Sequence, residues 1–210
     1  MPKVLIADDH PVVRTGLRQI IADEPDIEIV GEASNGNEVI EFIKQNPCDM
    51  VLLDIAMPER SGLDIISEVR QLSPETRILI LSIYPEDQYA VRALRAGASG
   101  YLTKSGAPQE LLVAIHKILA GGRYISPSLA EILATEIDRR STRHPHEQLS
   151  DREYQVMLML ASGKTVTEAA HELELSVKTI SAYRSRILDK MNMKNNAQLT
   201  FYAMENHLLD

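Results

Sequence analysis

The sequence predicts two domains of different class: an α/β domain on a five-stranded parallel sheet, then an all-α domain of four helices. Three observations point that way. Short runs rich in Val, Ile and Leu alternate with helix-period segments through the first 120 residues. Several of those runs are apolar without alternation, as strands covered by helices on both faces must be. Beyond residue 147 the strand-like runs stop, and two Ser/Thr-x-x-Glu patterns open helical segments instead.

Strands are expected at Val4–Asp8, Glu28–Ala33, Asp49–Ile55, Arg77–Ile83 and Gly100–Lys104. Helix-period segments separate them at Val12–Ala22, Asn37–Gln45, Leu63–Leu72 and Pro85–Ala96, and Pro108–Ala120 follows the last. Pro11 opens the first helix, Pro47 and Pro74 follow the second and third, and Gly97 closes the fourth. Short turns between β and α segments require parallel strands joined by right-handed crossovers. Sites in such sheets form at the carboxyl ends of the strands, where Asp8, Asp9, Asp54, Ser82 and Lys104 fall.

Three carboxylates gathered at one edge repel and raise one another's pKa unless positive charge sits among them. A hard divalent cation with oxygen ligands, plus an ammonium group, supplies it. Such a site suits phosphoryl transfer onto a carboxylate. Asp54 is the expected nucleophile. Asp9, helped by Asp8, is expected to hold Mg²⁺ together with Asp54, and the Ala56 backbone carbonyl is a further candidate ligand. Lys104 is expected to pair with Asp54 at rest and with a phosphoryl oxygen afterwards, while Ser82 donates to another oxygen. His10, beside Asp9, reads as a loop residue at the mouth of the site, since a hard cation prefers oxygen. By position alone, Tyr101 is a strand aromatic packed on the fourth helix.

This half resembles the receiver domain of bacterial response regulators through Ile6-Ala7-Asp8-Asp9-His10, Leu53-Asp54-Ile55-Ala56-Met57-Pro58, Ser82 and Gly100-Tyr101-Leu102-Thr103-Lys104. The resemblance implies a flavodoxin-like strand order of 2-1-3-4-5 and phosphorylation of Asp54 by a sensor histidine kinase. It also implies a switch in which Ser82 moves toward the phosphate and Tyr101 rotates inward. Many receivers carry a cis proline after the lysine; here Ser105 follows, and a trans bond is expected because a cis non-proline bond costs about 3 kcal/mol.

Leu129, Ile132, Leu133 and Ile137 give Pro127–Ile137 the pattern of a short amphipathic helix. The stretch 139–146, with its His-Pro-His run, has no apolar period and reads as a solvated tether rather than a metal site. The expected domains are therefore 1–122 and 148–210, with a linker at 123–147.

In the last segment Ser150-Asp-Arg-Glu153 opens a helix ended by Gly163, and Thr165-Val-Thr-Glu168 opens a short second one. Ser176 caps a third helix, Val177–Met191, and a fourth runs over Asn195–Leu208. A helix, a tight turn near Glu174-Leu175 and a longer helix make helix-turn-helix geometry. On the third helix Ile180, Tyr183, Ile187 and Met191 form the inward stripe. Lys178, Ser181, Ala182 and Ser185 face the other way, flanked by Thr179, Arg184, Arg186 and Lys190. Small residues there can approach base edges and basic ones can meet phosphates; Tyr183 joins the candidate DNA contacts. A polar solvated helix face is the plain alternative.

Leu149-Ser-Asp-Arg-Glu153, Leu160-Ala-Ser-Gly163, Glu168-Ala-Ala-His-Glu-Leu173 and Leu175–Ser181 are similar to the LuxR-type four-helix domain, so the whole chain resembles a NarL/FixJ-type response regulator. That family usually carries lysine where Ser181 stands and histidine where Tyr183 stands. The resemblance implies a transcription regulator rather than an enzyme, with promoter DNA and RNA polymerase as partners and a homodimer formed on phosphorylation or DNA binding, the fourth helix supplying the contact. Two other readings are a regulator controlled by protein contact and a phosphatase; the intact acidic site disfavours the first, and the second lacks a further catalytic acid and a substrate cap.

Charge bounds these readings. Residues 1–120 hold 11 Lys/Arg against 18 Asp/Glu, and the chain carries −8 overall. That excludes indiscriminate nucleic-acid binding and requires a local basic patch, which Lys178, Arg184, Arg186 and Lys190 supply. No apolar run is long enough to span a bilayer, and no secretory signal precedes the first strand. A single cysteine, Cys48, reads as a small buried filler and fits a reducing compartment, so a cytoplasmic protein is expected.

Overall fold

The computed structural model describes residues 1–106, 108–138, 144–206 and 208–209. Two compact units, Met1–Thr135 and Glu136–Asp210, divide the chain.

In the first unit β1 (Lys3–Ala7), β2 (Glu28–Ala33), β3 (Met50–Asp54), β4 (Arg77–Ser82) and β5 (Gly100–Thr103) form one sheet in the order β2-β1-β3-β4-β5. Every neighbouring pair is parallel. Helices α1 (Pro11–Ala22), α2 (Gly36–Gln45), α3 (Gly62–Leu72), α4 (Glu86–Ala96) and α5 (Pro108–Leu119) follow the strands in turn. Strand alternation sorts the core into two layers. Val4, Ile6, Met50, Leu52, Leu79, Leu81 and Leu102 share one buried cluster with Leu17 and Ile21 of α1 and Leu111, Ile115 and Ile118 of α5. Leu5, Val51, Leu53, Ile78 and Ile80, pointing the other way, are equally buried. The strands thus read as apolar runs because neither face meets water.

Start and stop signals act as the sequence suggests. Pro11 stands at the first turn of α1, Asn35 and Ser61 cap α2 and α3 by accepting from Glu38 N and Leu63 N, and Gly97 ends α4 with φ +118°. Gly97 needs the left-handed region that a side chain disfavours. The ladders stop one residue earlier than expected at β1, β3, β4 and β5, so Asp8 and Lys104 sit just beyond the paired strands. All peptide bonds among the described residues are trans, Lys104–Ser105 included.

Helix α6 (Pro127–Asp138) goes with this first unit as far as Thr135. Tyr124 bridges Gly100 and its N–H donates to Ser99 O, which extends the sheet edge into the segment before α6. Ser126 caps α6, accepting from Leu129 N, and donates to both Glu86 carboxylate oxygens at 2.7 and 2.8 Å; Leu129 is fully buried. Up to residue 135 the segment expected as linker is therefore packed on the sheet domain.

The second unit holds α7 (Asp151–Ala161), α8 (Val166–Glu172), α9 (Val177–Lys190) and α10 (Asn196–Glu205). Ser150 and Thr165 close complete capping boxes with Glu153 and Glu168, and Ser176 caps α9. Gly163 turns the chain after α7 at φ +95°. Residues 139–143 of the expected tether, like the Ile137 side chain, lie outside the described residues. The His-Pro-His run corrects the rest of that expectation: Pro145–Gln148 is a 3-10 turn, and His146 Nδ1 lies 2.6 Å from the Tyr202 hydroxyl, its ring packed against Tyr154 and Tyr202. The contact bridges 56 residues of sequence, beyond the reach of a local pattern.

Candidate functional site

Register brings the acidic edge together. Ala7 pairs with Leu53, Asp54 with Leu81, and Ser82 with Thr103, so the ends of β1, β3, β4 and β5 lie level. The next residues project from the same edge. Lys104 Nζ lies 2.6 Å from Asp8 Oδ2 and 2.7 Å from Asp54 Oδ2, with both carboxylates 1 % exposed. Asp54 Oδ1 is buried with no hydrogen-bond partner among the described residues. Asp9 Oδ1, also buried, lies 2.6 Å from His10 Nδ1. Ligand atoms of Asp8, Asp9, His10 and Asp54 all lie within 4.8 Å of one another. His10 itself stands at the mouth, 64 % exposed.

Electrostatics in this pocket follow from burial. Burial raises the Asp54 pKa, Lys104 pulls it back, and Asp8 adds to the rise, leaving it above the ordinary carboxylate value. Burial works against the Lys104 ammonium, but Asp54 and Asp8 outweigh it and hold its pKa up. One ammonium thus serves two carboxylates, with a third beside them, and buried oxygens are left without a donor. An acidic pocket of this kind is typical of a Mg²⁺ site: hard oxygen ligands, crowded negative charge and an unsatisfied carboxylate oxygen.

Ser82 is fully buried at the end of β4, and its Oγ accepts from Tyr84 N at 3.1 Å. Tyr101 is fully buried too; its hydroxyl donates to Tyr84 O at 2.9 Å. The loop after β4 is therefore held from both sides, by Ser82 through its N–H and by Tyr101 through its carbonyl. Ala56 lies in the bend after β3, where its backbone favours the Asp54 carboxylate.

Some neighbours of the pocket escape a sequence reading. Gly62 begins α3 with its Cα so close to the phosphoacceptor candidate that a Cβ would stand 2.0 Å from the Asp54 carbonyl oxygen. Its only signal is a glycine directly after the Ser61 cap. Arg14 of α1 donates from Nη1 to Asp8 O at 2.6 Å and from Nε to Glu32 Oε2 at 2.8 Å. An arginine on an amphipathic helix gives no hint of that.

The second candidate site is the outer face of α9. Lys178, Ser181, Ala182, Ser185 and Arg186 are exposed, and Ile180, Ile187 and Met191 are buried. Leu188 is also buried, whereas Tyr183 is only half-buried, with the Arg186 guanidinium 4.6 Å above its ring. Thr179 Oγ1 bonds Ser176 Oγ at 2.7 Å at the helix start. Two of the expected basic contacts are engaged inside the domain: Arg184 Nε donates to Asn196 Oδ1 at 2.7 Å, and Lys190 Nζ to Glu153 Oε2 at 2.6 Å. Lys178 and Arg186 remain without a carboxylate partner among the described residues. On α10, Phe201 and Met204 are both 63 % exposed.

Comparison with known proteins matches both parts of the chain to described families. Residues 4–116 match the family model described as response regulator receiver domain, and residues 147–203 match bacterial regulatory proteins, luxR family. The chain is 37% identical over 209 residues to response regulator UvrY of Escherichia coli (strain K12), covering 99% of this chain and 96% of UvrY. RcsB from Salmonella enterica serovar Typhimurium, bound to promoter rprA in the presence of phosphomimetic BeF3-, aligns at TM-score 0.59 and 26% identity over 96% of this chain and 98% of that one. A structure of two RcsB dimers bound to two parallel DNAs aligns at TM-score 0.60 and 26% identity over 97% and 98%.

Proposed function

The chain belongs to the two-component response regulators that join a receiver domain to a LuxR-type helix-turn-helix domain, and from that premise we propose that phosphorylation of Asp54 by a sensor histidine kinase controls its binding to promoter DNA. Members of this family are transcription regulators, not enzymes. The observation that carries the reading is the meeting of Asp8, Asp9, Asp54 and Lys104 at one sheet edge, with Asp54 Oδ1 buried and unpartnered.

Asp8, Asp9 and Asp54, with the Ala56 carbonyl, would hold Mg²⁺. When bound, Mg²⁺ shields the carboxylates and binds the incoming phosphoryl oxygens. Asp54 attacks phosphorus, so an O–P bond forms while the N–P bond of the donor phosphohistidine breaks. The leaving imidazole nitrogen keeps the electron pair and takes up a proton. Lys104 then turns from Asp54 to a phosphoryl oxygen, replacing one negative partner by another. Ser82 Oγ accepts from Tyr84 N–H and also bonds the Tyr101 side chain, so its hydroxyl would turn from Tyr101 to donate to a second phosphoryl oxygen. The Tyr84 backbone couples that movement to Tyr101, whose buried hydroxyl takes the Tyr84 carbonyl; these are the two switch residues. An apolar cavity of about 220 Å³ beside Lys104, lined by Val13, Leu17, Ile20, Leu102 and Pro108, supports delivery of the phosphoryl group by another protein.

Exposed Lys178, Ser181, Ala182, Ser185 and Arg186 would meet DNA, with Thr179 and Tyr183 at the edges of that face. Arg184 and Lys190 would reach phosphates only by exchanging their present partners. The exposed Phe201 and Met204 on α10 support a homodimer contact there, in line with the dimers that RcsB forms on DNA. RNA polymerase is the further partner such a regulator addresses. No described helix is long and apolar enough to cross a membrane, and a cytoplasmic location accords with the reading.

The test is Asp54→Asn. Intact-mass spectrometry of the full chain with acetyl phosphate and Mg²⁺ should find one phosphoryl group on the wild type and none on the variant. Equal labelling of the two would refute the assignment.

A further inference from the structure

Asp8 and Asp9 lie past the last paired residue of β1. Besides the Lys104 pair on its carboxylate, Asp8 is held by two bonds: its N–H donates to Ala33 O of β2, and its Oδ1 accepts from His10 N at 2.9 Å. Neither fixes the carbonyl of Asp8, and with it the plane of the Asp8–Asp9 peptide. That carbonyl is taken by Arg14, whose Nη1 lies 2.6 Å away. The guanidinium is itself anchored, because Nε donates to Glu32 Oε2 on β2 at 2.8 Å, and Arg18 pairs with the same carboxylate. The Arg14 side chain is only 17 % exposed, so the fork is largely shielded from water. A planar guanidinium with two engaged nitrogens sets direction as well as distance.

Resting on the magnesium reading above, we propose that Arg14 is a positioning residue for the metal. It clamps the Asp8 carbonyl to β2, and thereby sets the Asp8–Asp9 peptide so that the Asp9 carboxylate is presented beside Asp54. Arg14 touches neither metal nor phosphate. Its charge alone would have the opposite effect, since a cation next to the carboxylates repels Mg²⁺. Removing Arg14 therefore discriminates by sign: a mere neighbouring charge makes magnesium bind more tightly when lost, whereas a clamp makes it bind more weakly.

The experiment is isothermal titration of the full chain with Mg²⁺, for wild type, Arg14→Gln and Arg14→Lys, with thermal melts and acetyl phosphate labelling alongside. Both variants should bind Mg²⁺ about tenfold more weakly, the scale of losing an outer partner of a metal ligand. Labelling should need more Mg²⁺ for half-saturation yet reach the wild-type rate when Mg²⁺ saturates, a split that a general loss of structure would not give. Arg14→Lys keeps the charge and melts with the wild type, but cannot reach both oxygens. Magnesium affinity equal to or tighter than wild type in either folded variant overturns the proposal. A wild type that binds no Mg²⁺ would sink the magnesium reading and this inference together, whereas normal wild-type binding with unaffected variants sinks the inference alone.

Discussion

At the scale of single residues the phosphoacceptor pocket is defined as much by what is missing as by its carboxylates. Gly62 has no side chain, and the space is taken by the Asp54 carbonyl: a Cβ would sit 2.0 Å from that oxygen and 3.1 Å from a Leu53 side-chain carbon. The Gly62 N–H also donates to Ile55 O at 3.1 Å, so the start of α3 is tied to the residue after Asp54. Gly62→Ala must push the two backbones apart, at a cost of about 1–3 kcal/mol as for other overpacked sites. We expect a lower melting temperature together with slower labelling of Asp54 by acetyl phosphate; a variant that melts and labels like the wild type would show that the close approach has no influence on the acceptor. The acids, Ser82 and Lys104 are legible in the sequence because each follows an apolar strand run and the chemistry demands their types. Gly62 and Arg14 are not legible, because their roles depend on backbone atoms of other elements, and a carbonyl carries no sequence signal.

At the scale of elements the helices of the second unit are held by charge as well as by their apolar faces. Glu153 is the third helical residue of α7 and closes its capping box, yet it is buried and also receives Lys190 from the end of α9 at 2.6 Å. Burial works against the Glu153 carboxylate, but Lys190 and the N–H and hydroxyl of Ser150 outweigh it, so its pKa falls below the ordinary glutamate value. A depressed carboxyl pKa contributes stability that is present above the unfolded-state value and is lost as pH falls through the folded one. The window therefore lies below about pH 4. Lys190→Met should cost about 1 kcal/mol at neutral pH, since Lys190 stands partly in solvent, and should flatten the loss of stability on acidification. Parallel acid slopes for wild type and variant, in thermal melts followed by circular dichroism between pH 3 and 7 (about the carboxylate titration range), would remove the pair from the stability of this domain. Both capping boxes were readable from four-residue patterns, as were the helix and strand periods. The Lys190 partnership was not, and that residue consequently read as a free phosphate contact. The same limit hid His146 on Tyr202 and the attachment of α6 to α4 through Glu86, all pairings between residues far apart in the chain.

At the scale of the molecule, charge decides how phosphorylation can act on DNA binding. The chain carries −8, most of it in the first 120 residues, and a phosphoryl group on Asp54 makes that half more negative still. Electrostatics alone would thus weaken DNA binding on phosphorylation. A gain that comes from joining two chains engages the second half-site at high effective concentration. The exposed Phe201 and Met204 offer apolar area for such a joint, and Lys178 and Arg186 are the basic side chains of α9 left to each chain for phosphates. With half-sites obtained by in vitro selection on the full chain, fluorescence anisotropy should show acetyl phosphate and Mg²⁺ raising affinity for a duplex with two half-sites about tenfold or more. A duplex with one half-site should show no gain, and Asp54→Asn should respond on neither. Lys178→Ala together with Arg186→Ala should weaken binding to every duplex alike and reduce the salt slope by about 2 per chain, while leaving the ratio between phosphorylated and unphosphorylated affinities in place. An equal gain on the single half-site would mean that phosphorylation changes the DNA-reading surface itself, and the dimer argument would fail.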